Sequence, residues 1–268
     1  MEYRGIIHNH SACSKEGCYP LAMLRQRWAP HLDFAAMTEH AERTTAEAYA
    51  TYVQECDALS DEHFRFIPGL EVATESGDML LLGCRKFICT RDPFQVLREA
   101  LGYIILLAHP EEGKVLHKVL EQAHGIEAWN SGHMGGYMPP FDWLIGWRKH
   151  LPPGKILTGG NDIHKVDPKR KILTLVHVRG QFDAPNERDI LEAIRQGQFI
   201  TSNGIFSFTP DGSAFHSNQL ALAALARCYR LSWRCVNICL ELGGTVLATL
   251  GLDKQKRTRL NRLIRQHL

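Results

Sequence analysis

The residues of this chain that are able to do chemistry sit at the ends of short apolar runs. Ile6-Ile7 leads into His8-Asn9-His10, residues 35–37 lead into Thr38-Glu39-His40, and residues 68–70 end at Glu71. In the same way residues 106–108 lead into His109-Pro110, and residues 158–160 into Asn161-Asp162-Ile163-His164. Imidazole and carboxylate are the side chains that bind divalent cations. One histidine after a strand means little, but five runs that end this way are hard to explain by chance. On an extended strand His8 and His10 point to the same side, so both imidazoles can reach one metal. Asp162 and His164 repeat that spacing.

These ends would converge if the runs were strands of a parallel barrel. Apolar runs at 5–7, 34–37, 66–70, 79–83, 104–108, 125–129, 156–158 and 173–178 alternate with helical patterns. That is the signature of βα units around a parallel sheet. In a parallel barrel the C-terminal strand ends share one rim, where barrel active sites sit. Helix boundaries are readable as well. Pro20 suits a first helical position, with Leu21, Leu24 and Trp28 on one face. Thr44 and Glu47 read as a capping box ahead of Tyr49, Tyr52, Val53 and Cys56. Asp92-Pro93 opens a helix that buries Phe94, Leu97 and Leu101. Val115, Leu116, Val119 and Leu120 form another stripe, and Asn186 precedes a helix that buries Ile190, Leu191 and Ile194. Residues 133–153, rich in Gly, Pro and Trp, read as an insertion shaping the site mouth. Beyond about residue 208 the rhythm stops. Residues 236–242, Gly243-Gly244 and residues 245–250 read as a β-hairpin, and an amphipathic helix carries Leu260, Leu263, Ile264 and Leu268. The expectation is an α/β barrel over residues 1–207 and a small appendage over 208–268.

The motifs occur in an order that resembles the polymerase and histidinol phosphatase (PHP) superfamily, over roughly residues 4 to 205. They are His8-Asn9-His10-Ser11 with Ser14-Lys15-Glu16-Gly17, Thr38-Glu39-His40, Gly69-Leu70-Glu71-Val72, and Ala108-His109-Pro110. Glu127-Ala128-Trp129-Asn130 and Gly160-Asn161-Asp162-Ile163-His164 follow, and residues 186–204 are similar to the family's closing helix and strand. The resemblance implies a distorted seven-stranded βα barrel holding two or three divalent ions. It puts His8, His10, Glu71 and Asp162 on a first metal, with Glu71 bridging to a second held by His109. Glu16, His40 and His164 would hold a third. Mixed imidazole and carboxylate ligands suit Mn²⁺, Fe²⁺ or Zn²⁺ better than Mg²⁺. The implied activity is phosphate-ester hydrolysis by a metal-activated water, with Glu71, Asp162 and His164 as catalytic residues. Arg43, Lys165 and Arg170 lie just past ligand motifs and are candidates for clamping phosphate; His133, in the Gly-rich insertion, is a further one. The sequence also departs from the family. Ile6 and Ile7 stand where an aspartate usually precedes the first histidine, so a carboxylate orienting that imidazole is missing locally. Glu39 replaces an aspartate. Residues 76–83 lack the usual second-metal histidine and offer Asp78 instead.

Bulk properties narrow the function. At a formal net charge of +2, no global field argues for nucleic acid or an acidic membrane. The basic residues Lys254, Lys256, Arg257, Arg259, Arg262 and Arg265 cluster at the C-terminus, which keeps an exonuclease or nucleotide phosphodiesterase as the alternative to a phosphatase acting on a small phosphorylated metabolite or nucleotide. A non-catalytic metal-binding module is the third reading. No apolar run reaches membrane-spanning length, and no signal segment is evident. The eight cysteines follow no disulfide or zinc-finger spacing and read as buried free thiols in a reducing cytosol.

Overall fold

The computed structural model describes residues 2–110, 117–132, 139–165, 175–179, 184–204 and 206–213, together with 227, 228 and 231. Twelve strands, six α-helices and two short 3-10 turns follow one another along these residues. They begin with β1 (Glu2–Ile6), α1 (Leu21–Trp28), β2 (Phe34–Ala36), β3 (Glu39–His40), α2 (Ala46–Ala58), β4 (Arg65–Ile67), β5 (Gly69–Thr74) and β6 (Gly77–Leu82). Then come α3 (Pro93–Glu99), β7 (Ile104–Leu107), α4 (His117–Gln122), β8 (Gly125–Asn130), α5 (Phe141–His150) and β9 (Ile156–Gly160). The last are β10 (Leu175–Arg179), α6 (Glu187–Arg195), β11 (Phe199–Ser202) and β12 (Ser207–Phe208).

Two six-stranded sheets result, in the orders β12-β11-β10-β1-β2-β4 and β3-β5-β6-β7-β8-β9. The α/β reading of the sequence holds, with parallel pairs β1/β2, β2/β4, β3/β5, β7/β8 and β8/β9. The simple parallel rhythm does not hold throughout. β5 and β6 form an antiparallel hairpin around Glu75-Ser76, with Thr74 paired to Gly77, and β6 pairs antiparallel with β7. β10 is antiparallel to both β1 and β11. The chain between β1 and α1 links the sheets: Thr38 N–H donates to Asn9 O, Asp162 N–H to His8 O, and His10 N–H to Ile163 O. These bonds draw segments 8–10, 38–40 and 161–163 to the same end of the molecule.

Alternate residues along the strands feed two apolar clusters. Ala35, Phe66, Met79, Leu81, Ile105 and Leu107 join one cluster with α1 (Leu21, Leu24, Trp28), α2 (Tyr49, Tyr52, Val53, Cys56) and α3 (Val96, Leu97). Phe34, Ile67, Leu80, Leu82, Ile104 and Leu106 join the other, with Ile190, Ala193 and Ile194 of α6. Phe208, just past the expected boundary at 207, belongs to this core: it is fully buried and lies beside Trp129 with ring centroids 6.3 Å apart.

Several local expectations are corrected. The cap of α2 is Thr45, whose hydroxyl accepts from Ala48 N–H, and not Thr44. Asp92 and Asn186 cap α3 and α6 as their positions suggest. Leu101 lies past the end of α3 and is 87% exposed, and Val96 takes the buried place assigned to it. Within the expected insertion, residues 141–150 form α5. Cys56 and Cys84 are buried thiols, but Cys18, Cys89 and Cys228 are exposed. Val115 and Leu116 lie outside the described residues, as do the hairpin and basic helix expected beyond residue 235.

Candidate metal centre

Every metal-capable strand end expected from the sequence converges on one rim. At its heart His8, His10, Glu71 and Asp162 are all buried, and each offers a ligand atom within 4.8 Å of those of the others. His8 Nε2 lies 3.1 Å from Glu71 Oε2 and 3.6 Å from Asp162 Oδ1. His10 Nε2 lies 3.3 Å and 3.1 Å from the same two atoms. Two further groups share members with this one. His10, His40 and His164 form the second, and Glu71, Asp78 and His109 the third. Glu16 closes the second from outside, with Oε2 3.4 Å from both His40 Nε2 and His164 Nε2. In the third, His109 Nε2 stands 3.4 Å from Glu71 Oε1 and 4.0 Å from Asp78 Oδ2. Asp78, the one metal-capable residue that the sequence offers between 76 and 83, thus joins this group.

The paired rings do not converge by simple strand alternation. β1 ends at Ile6, and His8 adopts a φ of +61°; His109 and Asp162 have φ values of +27° and +49°. Left-handed backbone at a residue with a Cβ costs of order 1–3 kcal/mol and persists only where its surroundings over-determine it. Three of the four non-glycine positive-φ residues among those described are candidate ligands. The strain is concentrated where the site is built.

Electrostatics follow from burial and from the carboxylates. Burial drives the His10 imidazole down to a pKa of about 4, so its ring is neutral, the form in which it binds a cation. Burial also works against a charged His8, but Glu127 and Glu71 beside it hold its pKa well above the usual histidine value. For Glu71, burial is outweighed by His8, His109 and His10, and its carboxyl stays well below the ordinary range. Burial and the neighbouring Glu71 raise Asp78. A divalent cation fits this donor set. The imidazoles of His10 and His40, and of His10 and His164, stack with centroids 4.3 Å apart, and buried His10 Nδ1 has no hydrogen-bond partner.

Two carboxylates that were not assigned as ligands hold the site in place. Glu39, fully buried, accepts from the backbone N–H groups of Ser11 and Ser14 and so fixes the turn that presents Glu16. Glu127 accepts from His8 Nδ1 at 2.8 Å. The carboxylate missing beside Ile6 and Ile7 is thus supplied from β8. Only its place in the Glu127-Ala128-Trp129-Asn130 motif marks Glu127 in the sequence.

The fold that carries these residues has counterparts among solved structures. A two-domain protein from Bacteroides vulgatus, described as containing a predicted PHP-like metal-dependent phosphoesterase, superposes with a TM-score of 0.58 at 18% identity, over 75% of this chain. The fold is PHP-like. This chain spans about 65% of that protein's length. PsfC from Pseudomonas syringae superposes on this chain with a TM-score of 0.52 at 17% identity, over 87% of this chain and 99% of its own. No family model and no curated protein matches the sequence.

The candidate phosphate-binding residues fare differently from the ligands. Arg43 lies at the rim with its guanidinium 3.0 Å from Glu16 Oε1. Lys165 is exposed directly after His164. His133 and Arg170 lie outside the described residues. No helix among the described residues is long and apolar enough to cross a membrane.

Proposed function

We propose that this chain is a metal-dependent phosphoesterase that acts on a small phosphorylated metabolite or nucleotide. The observation that carries the reading is the set of three overlapping donor groups on one rim, joined through Glu71 and His10. A lone structural ion has no use for shared donors of this kind, which suit a cluster of two or three ions. His8, His10, Glu71 and Asp162 would hold one ion, Glu71, His109 and Asp78 a second, and Glu16, His40 and His164, with His10, a third. Bound divalent ions would supply a water acidified to near neutral pH and positive charge for the phosphoryl oxygens. Glu71 would bridge two ions, while Asp162 and His164 span the groups on its other side. Arg43 and Lys165 stand at the open edge, where a guanidinium and an ammonium are suited to phosphate oxygens.

The bonds that tie segment 8–10 to Thr38 on one side and to residues 162–163 on the other support a distorted seven-stranded barrel as the frame of this site. Mixed imidazole and carboxylate donors favour Mn²⁺, Fe²⁺ or Zn²⁺. A small substrate is preferred over a polynucleotide because the described rim carries scattered cations and no track of basic residues interleaved with aromatics. The test is a panel of monophosphates, nucleoside bisphosphates and short oligonucleotides incubated with Mn²⁺-loaded protein. Release of inorganic phosphate from a monophosphate is expected. Hydrolysis of none of them by metal-replete protein would remove the enzymatic reading, and turnover of oligonucleotides alone would replace it with the nuclease.

A further inference from the structure

Glu127 lies in β8 and is fully buried. It belongs to none of the three donor groups, yet it touches a member of two of them. Its Oε1 accepts from His8 Nδ1 at 2.8 Å. Its Oε2 accepts from the backbone N–H of His109 at 3.0 Å and from Asn130 Nδ2 at 2.9 Å. Three donors thus converge on one side chain, and a carboxylate is the group that meets all of them with acceptors. The neighbouring strand is shaped around it. A Cβ on Gly160 of β9 would stand 1.7 Å from Glu127 Oε1, 2.8 Å from its Cδ and 2.9 Å from His8 Cβ, so β9 passes this bonded pair only with glycine there.

We propose that Glu127 is a positioning residue that holds two ligand histidines at once, His8 by its ring and His109 by its backbone, and that Gly160 leaves the room it needs. The bond from Nδ1 to Glu127 turns the His8 ring so that Nε2 faces Glu71 and Asp162, and Nε2 is then the nitrogen that a cation would take in place of a proton. The second oxygen pins His109, whose Nε2 faces the other oxygen of Glu71. His8 and His109 carry φ values of +61° and +27°, and bonds from Glu127 help to over-determine both conformations. Two neighbouring ion positions therefore share one anchor on the protein side, as they share Glu71 on the cation side. This inference rests on the metal-centre reading but not on phosphate-ester hydrolysis.

Glu127→Gln tests it, because glutamine keeps the shape and puts an NH₂ against a converging donor. Mn²⁺ is titrated into the full-length protein by calorimetry, with circular dichroism to verify folding. The dissociation constant is expected to rise about 10–100-fold. In metal-free protein the His8 ring N–H proton resonance, identified by its loss in His8→Ala, is expected to move. Gly160→Ala should weaken Mn²⁺ binding in the same way, and should do less further damage in a Glu127→Ala background, where no carboxylate is left to displace. Unchanged Mn²⁺ affinity in folded Glu127→Gln would overturn the proposal, and so would weaker affinity with an unmoved His8 resonance. Should Glu127→Gln fail to fold, Glu127→Asp decides: its shorter carboxylate should give an affinity below wild type, and wild-type affinity would overturn the proposal. Protein that hydrolyses no phosphate ester yet binds Mn²⁺ in a Glu127-dependent way would defeat the proposed reaction and leave this inference standing.

Discussion

The inner and outer halves of the metal centre are built by different means. His8, His10, Glu71 and Asp162 are buried, sit on or next to strands, and include two of the strained backbone positions. Glu16, His40 and His164 are half-buried, with side chains 34%, 16% and 30% exposed, and Glu16 is carried by a short turn tied to Glu39. The inner half is buried and held by bonds to the protein itself. The outer half is open to solvent on one side, which is what the proposed reaction would need. Preorganisation and access are divided between separate groups, which meet at His10 and Glu71.

If that division is real, damage to the two halves should differ in kind. The largest effect is expected from His8→Ala and Asp162→Asn, which should abolish hydrolysis and lower bound metal in elemental analysis. Retention of both activity and metal would mean the inner half is assigned wrongly. His164→Ala should leave the inner ion in place, reducing metal content by no more than one ion per chain while turnover falls on the order of 100-fold, within the range of removing a single stabilising group. If it empties the whole centre, the halves are not independent. Asp78→Asn should weaken only the ion shared with His109, read as a lower Mn²⁺ affinity in one step of a calorimetric titration, on the order of tenfold. A wild-type isotherm would remove Asp78 from the ligand set.

The smallest effect lies far from the rim. Asp57 on α2 is bound by Arg85, whose hydrogen bonds hold its carboxyl below the ordinary value. A folded-state pKa below the unfolded one contributes stability that is present above the unfolded value, near 4, and lost as pH falls through the folded value. Asp57 and Arg85 are about half exposed, so solvent screening limits the pair to about 0.2–1 kcal/mol. Arg85→Ala should lower the melting temperature slightly at pH 7 and by less at pH 3. An equal loss at both would assign the effect to packing, and no change in Mn²⁺ affinity is expected.

The ligands were legible because metal-capable side chains ended apolar runs, and period and polarity are both written in the chain. What surrounds them was harder to read. The β5–β6 hairpin hides in residues 66–83 because antiparallel and parallel strands buried on both faces look alike in sequence, and its Glu75-Ser76 turn is short. Thr44 and Thr45 are adjacent and equally able to cap, so only backbone conformation at Thr45 separates them. Positive φ at His8, His109 and Asp162 could not be read from residue type, since His and Asp are enriched in that region yet still enter it at only a few of their positions. Glu127 could not be given a role from sequence because its partners are 119 and 18 positions away.

The central claim is that the donors on this rim hold divalent ions and that the inner four hold one most firmly. It is tested most directly by growing crystals with Mn²⁺ and locating the ions by anomalous scattering. The account predicts the strongest peak in contact with His8, His10, Glu71 and Asp162, and any weaker peaks beside His109 and Asp78 or beside Glu16, His40 and His164. Metal-replete crystals with no peak among His8, His10, Glu71 and Asp162 would contradict it.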